Sequence, residues 1–139
     1  MGEKVRDGAR QFAQQVFDDI YAFSKDPVTG VSRQGYGPVE NKVHDYIREW
    51  GRKLNLEEKI DRAGNLFLTL PGKNRELPCY MTGSHGDSVP QGGHYDGLAG
   101  VVAGLTSLWW MRHVGFEPER DVTLVVFRMA ESSWFGKAY

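Results

Sequence analysis

Residues 79–127 read CYMTGSHGDSVPQGGHYDGLAGVVAGLTSLWWMRHVGFEPERDVTLVVF, and the architecture follows from their order. Cys79-Tyr80-Met81-Thr82 is a short apolar run next to glycine, the pattern of a buried strand. The glycine-rich residues 83–97 read as a loop. Leu98, Val101, Val102, Leu105, Leu108 and Trp109 then recur at helical spacing, which predicts a helix over 98–114, apolar over much of its surface. Val122 to Phe127 is a continuous β-branched and aromatic run and reads as a second buried strand. Strand, loop, helix and strand in that order are the repeating unit of an α/β sheet.

The flanking sequence fits the same plan. Phe12, Val16, Ile20 and Phe23 mark an amphipathic helix over 8–25. Residues 26–38 contain Pro27, Gly30, Gly35, Gly37 and Pro38 and read as a loop. Val39, Val43, Tyr46, Ile47, Trp50 and Leu54 form one stripe, so a second helix runs from about 38 to 54. Residues 57–61 and 65–70 read as a strand pair, with turn chemistry in Asp61-Arg62-Ala63-Gly64-Asn65. Pro71-Gly72 and the polar residues to Glu76 make a further turn, and residues 132–139 begin another helix. The expected fold class is α/β, with three layers: helices packed on both sides of a mixed, largely parallel central sheet. Ligands of such sheets bind beyond the carboxyl ends of the strands. His85, Asp87 and Glu131 all fall there.

Bulk properties narrow the function. A chain of 139 residues suits one modest domain, here 1–139. A net charge of −1 with 40% hydrophobic residues describes an ordinary globular chain, with no electrostatic reason to expect nucleic acid or an anionic membrane as partner. No apolar run approaches the roughly 20 residues of a membrane span. Met1-Gly2-Glu3-Lys4 lacks the apolar segment of a signal peptide. The lone Cys79 forms no internal disulfide, which suits a reducing cytoplasm.

The chemistry concentrates in Gly83 to Gly97, which offers His85, Asp87, His94 and Asp96 in a segment built to bend. Glu131 follows at the end of the next strand. Imidazole and carboxylates converging at strand ends suit a borderline divalent ion such as Zn²⁺ or Mn²⁺. Asp96 has two oxygens and can bridge two ions, while Asp87 is spaced to accept the second ring N–H of His85 and fix its tautomer. Each part alone has a blander reading. His-x-Asp is common, Gly-Gly is usually only a turn, and a lone Glu131 reads as a carboxylate at a helix start. The combination is what favours a site.

That combination resembles the hydantoinase/carbamoylase group of the dinuclear zinc peptidase–amidohydrolase superfamily, which includes N-carbamoyl-L-amino-acid hydrolases, β-ureidopropionases and allantoate amidohydrolases. Gly30-Val31-Ser32-Arg33 resembles its early G-V-T-R signature. Asp61 to Leu66 is similar to its D-x-x-G-N turn. Gly83 to Gly97 resembles its metal loop, and Phe127 to Gly136 its carboxylate-bearing strand end. The 11-residue step from His85 to Asp96 favours this branch over the aminoacylase and peptidase branches, in which the step is longer. The resemblance implies two divalent ions, Zn²⁺ or Mn²⁺. His85 would ligate one, Asp96 would bridge both and Glu131 would ligate the second, with Asp87 orienting His85. It implies hydrolysis of linear amide C–N bonds in small ureido or amide substrates, with release of CO₂ and ammonia from carbamoyl groups, and a homodimeric full-length enzyme.

The sequence departs from the family in two ways. The family has adjacent glutamates at the strand end, the first being the general base. Here that position is Ala130, either an engineered inactivation or a natural departure. Family members are also several times longer. Their lid and dimerisation domain, remaining histidine ligands and substrate contacts lie beyond the position of Tyr139. The expectation is therefore the N-terminal part of a catalytic domain, inactive alone, with a non-catalytic remnant as the alternative. His44, on a polar helix face, and His94 and His113 match no ligand position. Arg33 reads as loop structure, Cys79 as an inert core residue, and Trp109-Trp110 as core packing with one exposed ring.

Overall fold

The computed structural model describes residues 2–135. In chain order the elements are α1 (Gly2–Ser24), α2 (Pro38–Lys53), β1 (Glu57–Ile60), β2 (Leu66–Leu70), β3 (Tyr80–His85), α3 (Leu98–His113), β4 (Val122–Phe127) and a 3₁₀ helix, Ser132–Phe135. The helix expected over 132–139 thus begins as one 3₁₀ turn, and residues 136–139, including Gly136 of the family-like strand end, lie outside the described residues. Helix α1 starts well before its apolar stripe, and Gly8 in its first half seats against the Trp109 ring.

The four strands form one sheet in the order β1-β2-β4-β3. The α/β class and the mixed sheet are as expected, but the strand directions need correction. Only β3 and β4 are parallel, whereas β1–β2 and β2–β4 are antiparallel. A turn as short as 61–65 can join only antiparallel neighbours, while the long α3 connection permits the parallel pair. Asp61 builds that turn, its carboxylate accepting the Ala63 and Asn65 N–H groups at 2.9 Å.

The layers also differ from expectation. Leu66, Leu68 and Leu70 pair in register with Val126, Leu124 and Val122, so these six side chains share one face of the sheet. That face carries the core, with Phe12, Val16 and Ile20 from α1, Val43 and Ile47 from α2, and Leu98, Val101, Leu105 and Leu108 from α3. Helix α3 comes so near that a Cβ on Gly104 would lie 2.7 Å from a Leu124 methyl. All three described helices therefore lie on one side, making two layers, not three. The opposite face shows Met81 and Phe127, exposed by 60% and 47%. Strand β3 is at the edge and mostly exposed, as is Cys79, so the expected buried strand and core cysteine are both corrected. Hydrophobicity marks a strand but not its rank in the sheet. No helix among the described residues is long and apolar enough to cross a membrane.

Candidate metal centre

Parallel pairing sets the carboxyl ends of β3 and β4 side by side, with His85 opposite Phe127. His85 is the last residue of β3, so the strand runs further than its apolar start suggests and the glycine-rich loop shortens to 86–97. That loop returns to the same edge just before α3, bringing Asp96 back, and Glu131 follows the end of β4. One ligand atom from each of His85, Asp96 and Glu131 lies within 4.8 Å of the others. His85 Nε2 is 4.0 Å from a Glu131 carboxylate oxygen.

Asp87, fully buried, ties the two strand ends together. Its Oδ1 lies 3.1 Å from His85 Nδ1 and accepts the Ala130 N–H at 3.1 Å, while Oδ2 accepts the Glu131 N–H at 2.8 Å. Burial alone would raise the Asp87 pKa, but these hydrogen bonds outweigh it and leave the carboxyl below its ordinary value. Its bond to His85 raises the histidine in turn, against the effect of burial. An acceptor at Nδ1 assigns the proton of the neutral ring to that nitrogen, which leaves the Nε2 lone pair turned toward Glu131.

Arg33 holds the loop from beneath. Its buried guanidinium donates to the carbonyls of Gly86, His94 and Asp96 at 2.7, 3.4 and 3.1 Å. Its main-chain N–H donates to Ser88 Oγ at 3.0 Å. Desolvation brings the guanidinium down to about 10, opposed by Asp87 and Asp96. Arg33 is thus the loop-structure residue that the sequence suggests. Gly97 completes the loop at φ +66°, with its α-carbon against the ligand-bearing side, where an added Cβ would lie 2.3 Å from His85 Cε1. Only glycine meets both demands.

Two buried groups escape the sequence reading. His44, expected on a polar face, is 5% exposed, and burial holds it down at about pKa 4. It is buried because the 86–97 loop covers that side of α2, with Gly86 packed over Val43 and the His44 ring. Glu40 is wholly buried and accepts the Tyr36 N–H at 2.6 Å and the Met129 N–H at 2.8 Å. Arg128 Nε stands 3.1 Å from the same carboxylate. Burial nonetheless dominates and raises its pKa. The only sequence signal for Glu40 is an acid two places after Pro38, which reads as an ordinary helix start. His94 is engaged elsewhere, its Nε2 lying 3.0 Å from the Phe17 carbonyl oxygen. His113 Nδ1 lies 2.8 Å from the Trp109 carbonyl oxygen, one helical turn back. Ala130 donates its N–H to Asp87 and has no side-chain group that could take a proton.

An α/β sheet with an imidazole and two carboxylates gathered at parallel strand ends defines the class, a strand-end site with the donor set of a divalent-metal centre. No family model matches the chain. Over 123 residues and 88% of its length it is 32% identical to a ureidoglycolate hydrolase of Oryza sativa subsp. japonica. Among solved structures, it superposes with TM-score 0.85 and 28% identity on a hydantoinase/carbamoylase-family amidase from Burkholderia vietnamiensis, covering 90% of this chain. A structure of AtUAH in complex with glyoxylate matches with TM-score 0.78 and 30% identity over 83% of this chain. Allantoate amidohydrolase of Escherichia coli and N-carbamoyl-L-amino-acid amidohydrolase of Pseudomonas are also relatives. The chain is thus a homologue of the hydantoinase/carbamoylase amidohydrolases over most of its own length. It spans 25% of the rice protein, 30% of the Burkholderia chain and 27% of the AtUAH chain.

Proposed function

We propose that the protein carrying this sequence is a metal-dependent hydrolase of linear amide C–N bonds, with N-carbamoyl amino acids or related ureido compounds as substrates. The observation that carries this reading is the meeting of His85, Asp96 and Glu131 within 4.8 Å at adjoining strand ends. The donor set fits divalent Zn²⁺ or Mn²⁺. Two atoms bound to one ion are at most about 4.2 Å apart. A spread of up to 4.8 Å therefore suits a pair of ions sharing Asp96 at least as well as a single one. Divalent ions bound there would polarise the substrate carbonyl and activate a water at neutral pH.

The chain's own residues prepare that chemistry. His85, Asp96 and Glu131 would hold the ions. Asp87 fixes the His85 tautomer and, by accepting two N–H groups after β4, sets the approach of Glu131. Position 130 is where the resemblance puts the proton acceptor for the attacking water, and the Ala130 methyl group accepts no proton. Ala130 also favours a second reading, a protein that gathers the ligands without turnover. Small-molecule substrates agree with the relatives' names and with the relative crystallised with glyoxylate. A cytoplasmic location and homodimer formation belong to the same proposal.

The test is ammonia release from N-carbamoyl amino acids, allantoate and ureidoglycolate by the metal-loaded chain co-expressed with a downstream segment of the length its relatives carry, with and without Ala130→Glu. A restored general base is expected to raise the rate by about 10²–10⁴. No rise on any of these substrates would reject the hydrolytic reading in favour of the second.

A further inference from the structure

We propose that Glu40 is a positioning residue for the metal centre: without touching a ligand, it locks the backbone turn that presents Glu131. The inference rests on the metal-centre reading above and concerns how this chain builds that centre.

Glu40 lies in the first turn of α2, after the cap residue Gly37 and Pro38. A carboxylate there commonly satisfies the N–H of the cap residue. Here the Gly37 N–H is already given to the Gln34 carbonyl. One Glu40 oxygen reaches past it to Tyr36, and the other crosses to Met129. A helix cap has no need of that second bond, made to a residue 89 positions along the chain. The two residues it holds share a rare property. Tyr36 and Met129 are both non-glycine residues in the left-handed region, at φ 56° and 48°. Such conformations persist only where surrounding contacts fix them. Arg128 closes the lock, its guanidinium 5.0 Å over the Tyr36 ring and beside the Glu40 carboxylate. Asn65 Oδ1 accepts the Arg128 N–H at 2.8 Å, which fixes the residue before the turn. Met129 is followed by Ala130 and then Glu131, whose N–H groups go to Asp87. Consecutive N–H groups from 128 to 131 are thus all held by side chains, and Glu40 holds the one at the strained residue.

Co²⁺ is the probe, titrated into the full 139-residue chain and followed by its visible absorption, a direct report of ligand geometry. Glu40→Gln keeps the shape but replaces one acceptor oxygen by a donor, so the bond to Met129 or that to Tyr36 is lost. The expected result is Co²⁺ binding at least tenfold weaker, with a changed band shape. Leu70→Ala, which opens the core at the end of β2 remote from the site, should lower the melting temperature yet leave Co²⁺ affinity within twofold. A second measurement needs no variant. Coupling between clamp and centre is reciprocal, so Zn²⁺ should slow hydrogen exchange at the Met129 and Tyr36 amides. If Glu40→Gln does not fold, that exchange result decides alone. Wild-type chain that binds no Co²⁺ would bring down the metal-centre reading and this inference with it. Normal wild-type binding overturns the role of Glu40 alone if Glu40→Gln stays within twofold, if Leu70→Ala loses as much, or if Zn²⁺ leaves both amides unchanged.

Discussion

His44 shows what a single residue's surroundings do to its chemistry. Desolvation, helped by the nearby Arg128 charge, outweighs the Phe127 backbone hydrogen bond and the Asp45 and Asp87 carboxylates and lowers it from an ordinary 6.5 to about 4. The unfolded chain therefore takes up this proton first. Stability from the buried neutral ring is complete above pH 6.5 and is lost as pH falls toward 4. By pH 5 the loss is about 2 kcal/mol. Urea unfolding at pH 7 and pH 5 should show that drop in the wild type and little of it in His44→Met. Equal drops in both would remove His44 as the cause. His44 and Glu40 were illegible for one reason. Each sits on a helix where a polar side chain ordinarily faces water, and nothing local announces that a distant loop or strand end will cover it. His85, Asp96 and Glu131 were legible because chemistry-bearing residue types stand at strand ends with bendable backbone between them.

The elements most visible in the sequence are those marked by an apolar stripe, a continuous apolar run or clear turn chemistry between them. Helix α2, helix α3, the β1–β2 hairpin and β4 all fall within a residue or two of expectation. Strand β3 reads as buried because Tyr80 and Met81 carry the composition of a central strand, yet it occupies an edge. The loop over 86–97 is a different kind of element, held by the Val31–Gly92 bridge and by Arg33. Three carbonyls and the Ser88 hydroxyl depend on that residue. Arg33→Met keeps the bulk and the main-chain bond but removes every guanidinium donor from buried carbonyls. The expected loss is on the order of 3 kcal/mol in urea unfolding, since each orphaned buried carbonyl costs roughly 1–3 kcal/mol and part of the set can reach water. Hydrogen exchange should speed up within the loop before it does in α3. A loss below about 0.5 kcal/mol, the size of an ordinary surface change, would show that the loop holds itself.

At the scale of the whole molecule, the sheet is unequally clothed. Its helix-covered face is closed by residues from all three helices, while the reverse face presents Met81 and Phe127 beside Val125, next to a strand that pairs on one side only among the described residues. Strand alternation puts Leu66, Leu68 and Leu70 on one face, but it says nothing of whether the other face will find helices. An apolar patch adjoining an unpaired edge favours association between chains. Sedimentation of the isolated chain should therefore show concentration-dependent self-association. Met81→Lys sets an ammonium group on the exposed edge strand, where desolvating it opposes stacking of two such faces. The side chain is already 60% exposed and absent from the core cluster, so folding stability should change by no more than about 0.5 kcal/mol. Self-association should weaken at least tenfold. If Met81→Lys sediments like the wild type, association runs through some other surface, such as the one around the half-exposed Trp110 on α3.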